Sequence, residues 1–256
     1  MIRFDDAATL PLLYHLNSEP WQNTDAYEGT PYEVEYKQFG GAPSTPLPPP
    51  SESALRTVLI KRESHRYFSG RPLALASLSD LLANGGGISR QQELAATGLV
   101  YLMRTTPSAG GLFPLEFYLV TQGVEGLADG LHHYDLRAHA LETLRSDVSI
   151  SALKPFLLVY PFVERANVII FLAAVFHRTL KKYGPRGYRY VLLEAGHVAQ
   201  NICLSATQQG LGSLCVGGYE DAALNHWLGL DGRCDAVVYS VAVGQMDEPD
   251  GEIGSA

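Results

Sequence analysis

Apolar positions recur along this chain with two periods. Val191, Leu192, Ala195, Val198, Ala199, Ile202 and Ala206 are three and four residues apart, which predicts a long helix over Tyr188–Gln209, ended by Gly210 and Gly212. Shorter helical patterns cover Ser53–Arg62, with Ala54, Leu55, Val58 and Leu59 on one face behind Ser51 as N-cap, and Ser77–Ala83, with Leu78, Leu81 and Leu82. The second stops at Asn84-Gly85-Gly86-Gly87, and Asp221–Leu228 makes a fourth. β-Forming residues fill Leu115–Thr121, Val168–Val175, Ser213–Val216 and Ala236–Val243, and Gly130–Tyr134 with Ala140–Leu144 reads as a hairpin around Asp135-Leu136-Arg137. Helices interleaved with strands predict an α+β fold with a central sheet and a long buried helix. Residues 1–50 show no clear period and end in a proline-rich run, which is stiff and cannot be helical. They read as an extended arm that wraps the domain at 51–256 or a second copy.

Composition narrows the function. The 256 residues are 46% hydrophobic and 18% charged, enough for one sizeable core. The net charge of −8 disfavours nucleic acid as a partner, while leaving room for a local pocket for one phosphate. Ala166–Phe176, the most apolar segment, is shorter than the about 20 residues a membrane helix needs, and the N-terminus lacks a signal-peptide pattern. A cytoplasmic protein without a membrane partner is expected. Cys203, Cys215 and Cys234 are odd in number and match no CxxC, so they read as small buried hydrophobes in a reducing compartment. His132 and His133 are neighbours in a strand, point to opposite faces and cannot chelate one ion; His197 reads as a core or interface histidine, and no metal is expected.

Three segments could carry chemistry. Arg62-Glu63-Ser64-His65-Arg66 offers two guanidinium forks and a hydroxyl that suit a phosphate, or solvated charge at a helix C-terminus. Pro107-Ser108-Ala109-Gly110-Gly111 is a loop with little bulk between prolines, where a flat ring could approach backbone N–H groups and the Ser108 hydroxyl; an ordinary turn before a strand reads the same way. Lys182-Tyr183 is either a solvated helix end or a base and acid pair. Gly210–Tyr219 holds a GxG but follows a helix, which excludes a Rossmann fingerprint, although Gly217-Gly218 could turn a backbone N–H to a ligand. No GxSxG or Cys/His pattern supports hydrolysis.

In order along the chain, Tyr14-His15 with Ser18, Arg62–Arg66 with Phe68, Pro107–Glu116, Gly130–Asp135, Tyr188–Asn201, Gly210–Gly212 and Gly217–Tyr219 resemble the SagB-type (ThcOx-type) dehydrogenases of the FMN-dependent nitroreductase superfamily. The resemblance implies a nitroreductase-like α+β fold with a central mixed β-sheet flanked by helices. It implies a homodimer with FMN at the interface. Arg62, Ser64 and Arg66 would hold the phosphate and ribityl chain, and Pro107, Ser108, Ala109 and Gly110 would line the ring. Gly217 and Gly218 would face the flavin N5, Gln200 and Asn201 would reach the flavin or the mate, and Lys182 and Tyr183 would be catalytic. The implied activity dehydrogenates a thiazoline or oxazoline, in a peptide or small natural-product intermediate, to the azole by hydride transfer to N5, alongside biosynthetic partner enzymes. An NAD(P)H-dependent nitro or quinone reductase and a non-catalytic scaffold subunit of a biosynthetic complex are the alternatives. Two departures stand out. Glu63 replaces an arginine and should point away or pair with Arg62 or Arg66, and Gly244–Pro249 carries no basic residue for the phosphate.

Overall fold

The computed structural model describes residues 9–18, 36–94 and 98–247. Its elements run α1 (Thr9–Asn17), α2 (Ala54–Lys61), α3 (Leu75–Gly86), β1 (Ile88–Leu94), β2 (Leu99–Arg104), β3 (Leu115–Thr121), β4 (Gly130–Asp135), β5 (Ala140–Ser146), α4 (Tyr160–Val163), β6 (Val168–Val175), α5 (His177–Tyr183), α6 (Arg186–Gln208), β7 (Gly212–Val216), α7 (Asp221–Leu228) and β8 (Asp235–Gly244).

Six strands form one sheet in the order β5-β4-β3-β6-β8-β7. Every pairing in it is antiparallel, so the sheet is not the mixed one expected. β6 lies inside the sheet and is apolar on both faces. Ile170, Leu172 and Ala174 face one core with α3 and α6, whereas Ile169, Phe171 and Ala173 face a second core that includes α7. That double burial explains why its sequence is a continuous apolar run rather than an alternating one. β1 and β2 form a separate antiparallel hairpin that the apolar pattern did not announce.

Local chemistry sets the helix ends. Ser53, not Ser51, caps α2, its Oγ accepting the Arg56 N–H at 3.1 Å. α3 continues through Gly85 and Gly86 instead of stopping before them. A Cβ on Gly85 would stand 2.6 Å from Ile202 Cγ1 and one on Gly86 2.6 Å from Phe117 Cζ. These glycines let the last turn of α3 press against α6 and β3, and only Gly87 ends the helix.

Part of the arm is helical. α1 rests on its own chain, with His15 buried, its Nδ1 3.0 Å from the Tyr188 hydroxyl and its ring edge-on to Phe176. Residues 36–50 are exposed and carry no helix or strand; residues 1–8 and 19–35 of the arm lie outside the described residues.

Candidate functional site

The antiparallel pairing of β3 with β6 places the start of β3 beside the end of β6, with Leu115 opposite Ala174. The loop that enters β3 and the helix that leaves β6 therefore meet. The Val175 N–H donates to Pro114 O at 2.8 Å and Arg178 Nη1 to Phe113 O at 3.2 Å, which fastens α5 over the 107–114 loop. Inside the loop the Phe113 N–H donates to Ser108 Oγ at 2.9 Å, and Gly110 and Gly111 both adopt positive φ, 64° and 65°.

This geometry brings Lys182 and Tyr183 to Gly110. Lys182 Nζ and Tyr183 Oη each lie 2.7 Å from the point a Cβ on residue 110 would occupy. Glycine suits the left-handed backbone there, and a Cβ would have to displace the ends of both side chains. The Lys182 ammonium sits 5.4 Å from the centre of the Tyr183 ring, and that ring meets Tyr190 of α6 edge-on at 5.1 Å. Lys182 is exposed and Tyr183 half-buried.

Beneath the loop lies a group that sequence reasoning missed. Glu194 of α6 is 3% exposed, and burial pushes its carboxyl up to about 7 against the opposing pull of a Ser108 hydrogen bond and the Arg104 charge. The Ser108 hydroxyl is thus engaged within the protein, by the Phe113 N–H and Glu194, rather than standing free for a ligand. Arg104 donates to Leu115 O at 3.1 Å and lies over the Phe113 ring. Beside it, Arg178 pairs with Glu116, whose other oxygen meets His133 at 3.2 Å, and His133 also bonds Glu142 at 2.8 Å. A cleft of about 430 Å³ opens there, with Arg104, Glu116, His133, Arg137 and Arg178 among its lining residues.

The arginine segment gathers elsewhere, against β7. Arg62 is half-buried at the end of α2, and its charge reaches Cys203 and Cys215. The His65 N–H donates to Ser213 O at 2.9 Å, and Gly212 packs tightly, since a Cβ would stand 3.0 Å from Met246 and 3.1 Å from His65. Glu63 pairs with His65 at 3.3 Å, not with Arg62 or Arg66. Ser64 and Arg66 are exposed. His65 Nδ1 is buried without a hydrogen-bond partner, and Ser213 Oγ is buried beside the Cys203 thiol. The Arg62 and Arg66 guanidinium groups and the Ser64 hydroxyl are donors that suit a phosphate. Gly217 and Gly218 follow β7, Gly217 against the Tyr239 ring and Gly218 against Leu158.

Not all expected residues converge. Asn201 donates to Asn84 O at 3.3 Å and lines a groove with Leu55 and Val58, while Gln200 and His197 are exposed on α6, so His197 is not a core residue. The loop and the arginine segment touch α6 at Glu194 and near Cys203. These are nine residues apart, or about 13 Å along the axis. Of the three cysteines expected to be buried, Cys203 is buried, Cys215 half-buried and Cys234 exposed, and the Cys203 and Cys215 sulfurs approach to 3.6 Å. Among the described residues no group of His, Cys, Asp and Glu has the makings of a metal site, and no helix is long and apolar enough to cross a membrane.

The chain is 36% identical over 180 residues to MJ1384 of Methanocaldococcus jannaschii, named as a nitroreductase, covering 68% of this chain and 84% of that one. It is 30% identical over 152 residues to the Escherichia coli microcin B17-processing protein McbC, covering 57% of this chain and just over half (55%) of McbC. Its fold matches a chain of the E. coli microcin synthetase McbBCD complex with truncated pro-MccB17 bound (TM-score 0.62, 24% identity, 90% of this chain and 84% of that one). It also matches a Desulfovibrio desulfuricans nitroreductase-fold protein in complex with FMN (TM-score 0.53, 16% identity, 80% and 94%). The model of the nitroreductase family matches residues 59–245, and the chain belongs to that family.

Proposed function

We propose that this chain is an FMN-dependent dehydrogenase that oxidises a thiazoline or oxazoline in a peptide or natural-product intermediate to the azole. It acts as a homodimer alongside biosynthetic partner enzymes. The observation that carries the reading is the convergence of Lys182 Nζ and Tyr183 Oη on Gly110, in the loop suited to a flat ring. McbC, a relative named for processing a peptide, and the peptide-bound complex with the same fold support the substrate class.

Bound FMN supplies hydride-accepting, two-electron chemistry. The protein binds and orients it. Arg62, Ser64 and Arg66 would hold the phosphate end. Pro107, Ser108, Ala109 and Gly110 shape the ring-binding loop, with Glu194 bracing it through Ser108. Gly217 and Gly218 would offer backbone N–H groups to the ring, and Gln200 and Asn201 would reach the flavin or the mate. In a dimer with FMN between chains, the loop and the arginine segment of one chain need not meet.

Aromatisation removes one proton and one hydride from the azoline ring. Lys182 as the free amine, or Tyr183 as the phenolate, takes the proton, and the adjoining side chain hydrogen-bonds to that base. Replacing each tests the assignment: K182A and Y183F should retain FMN and lose azole formation by about 10²-fold or more. Unimpaired azole formation with FMN bound would remove both from the mechanism. The likeness to MJ1384 favours a second reading, NAD(P)H-dependent nitroreduction, which requires flavin bleaching by NADPH and turnover of a nitroarene.

A further inference from the structure

α6 and β7 are consecutive, joined by a turn in which Gly210 takes φ 71° and the Leu211 N–H donates to Ala206 O at 2.9 Å. The turn folds β7 back along the helix and sets Cys203 against Cys215, their sulfurs 3.6 Å apart. A disulfide needs about 2.0 Å, so the sulfurs must approach by about 1.6 Å more. Cys203 is 4% exposed within the core, and Cys215 is half-buried in β7.

The surroundings divide the work between the two sulfurs. Hydrogen bonding from Cys203 pulls the Cys215 thiol down, helped by the Tyr239 hydroxyl and the Arg62 charge. The bond to Cys215 and burial push Cys203 up. Cys234 is exposed, but hydrogen bonding to Asp231 pushes its thiol up. The thiolate-forming sulfur is therefore not the most accessible one.

We propose that Cys203 and Cys215 are a peroxide-reactive dithiol whose disulfide withdraws a negative charge from beside Arg62 and so strengthens the grip on the FMN phosphate. The second half rests on the FMN reading above. The Cys215 thiolate attacks hydrogen peroxide, forming an S–O bond as the O–O bond breaks, and the released hydroxide takes a proton to become water. The Cys203 sulfur then attacks Cys215, forming the S–S bond as the S–O bond breaks and a second water leaves. Two thiols lose two electrons in all, and one peroxide becomes two waters.

The test treats the full chain with one equivalent of hydrogen peroxide, alkylates the remaining thiols and maps the peptides by mass. The expected product links Cys203 to Cys215 and leaves Cys234 alkylated. In C203S, Cys215 should stop at the sulfenic acid and be trapped by dimedone; in C215S neither product should form. Alkylation of all three cysteines after peroxide, or a bond involving Cys234, overturns the dithiol. FMN titration by fluorescence quenching, on reduced and oxidised protein, should give about two- to fivefold tighter binding after oxidation. A mapped disulfide with unchanged FMN affinity overturns the link to Arg62. A mapped disulfide in a protein that binds FMN in neither state overturns the FMN reading and leaves the dithiol standing.

Discussion

Replacing Gly110 by alanine separates the loop backbone from the side chains it meets. A residue with a Cβ in the left-handed region costs about 1–2 kcal/mol, which lowers the melting temperature by about 2–8 °C in a chain of this size. The same Cβ would lie 2.7 Å from Lys182 Nζ and from Tyr183 Oη, so each must retreat by about 0.7 Å to reach ordinary 3.4 Å contact. Misplacing reacting groups by about 1 Å costs up to about 10²-fold in rate. Gly111 supplies the control. Its φ is 65° against 64° for Gly110, yet nothing stands within 4 Å of its Cβ position. G110A and G111A should therefore lose similar stability by thermal melting, while only G110A loses azole formation, by about 10- to 100-fold with FMN still bound. Equal loss of rate in both would show that loop backbone, not Lys182 and Tyr183, sets the activity. An undiminished rate in G110A would refute the role of the pair.

Glu194 makes stability depend on pH. Its folded pKa of about 7 lies above the usual 4.5, so folding binds a proton between these values, and stability falls by about 3 kcal/mol as pH rises through that window. E194Q should melt near wild type at pH 4.5 and above it at pH 8; parallel pH profiles for the two proteins would contradict this. G85A and G86A should each lower stability by about 1–3 kcal/mol in denaturant titration, because their Cβ atoms would overlap Ile202 and Phe117; unchanged midpoints would show that α3 can shift without cost. H15A should lose about 1–3 kcal/mol by leaving the buried Tyr188 hydroxyl without its partner, and a neutral result would mean that α1 does not stabilise the domain.

Periodicity was a good guide wherever one packing term dominated. Leu115–Thr121, Val168–Val175 and Asp221–Leu228 match the observed elements end to end, because each is bounded by turn chemistry and its burial pattern is strong. It failed where tertiary contact overrode local preference. Gly85 and Gly86 read as breakers, yet they remain helical because close approach to Ile202 and Phe117 requires them. β1 carries Ser89, Arg90, Gln91, Gln92 and Glu93, exposed on both sides of a two-stranded ribbon, and so leaves no apolar period to read. In the site, the glycine loop and the Lys182-Tyr183 pair were each visible, but their meeting depends on the register of β3 against β6, which no local signal reports. Glu194 was legible in principle, as an acid on the same helical face as Val191, Ala195 and Val198. The thiol pair was not, since it arises from how the turn at Gly210 folds β7 onto α6.

The central claim is best tested by mixing the flavin-loaded protein with a thiazoline-bearing peptide under anaerobic conditions while recording the flavin absorbance band. The account predicts that the band bleaches and that one azole forms per FMN reduced. A band that stays unchanged with the azoline peptide but bleaches with NADPH would contradict it and leave the nitroreductase reading in its place.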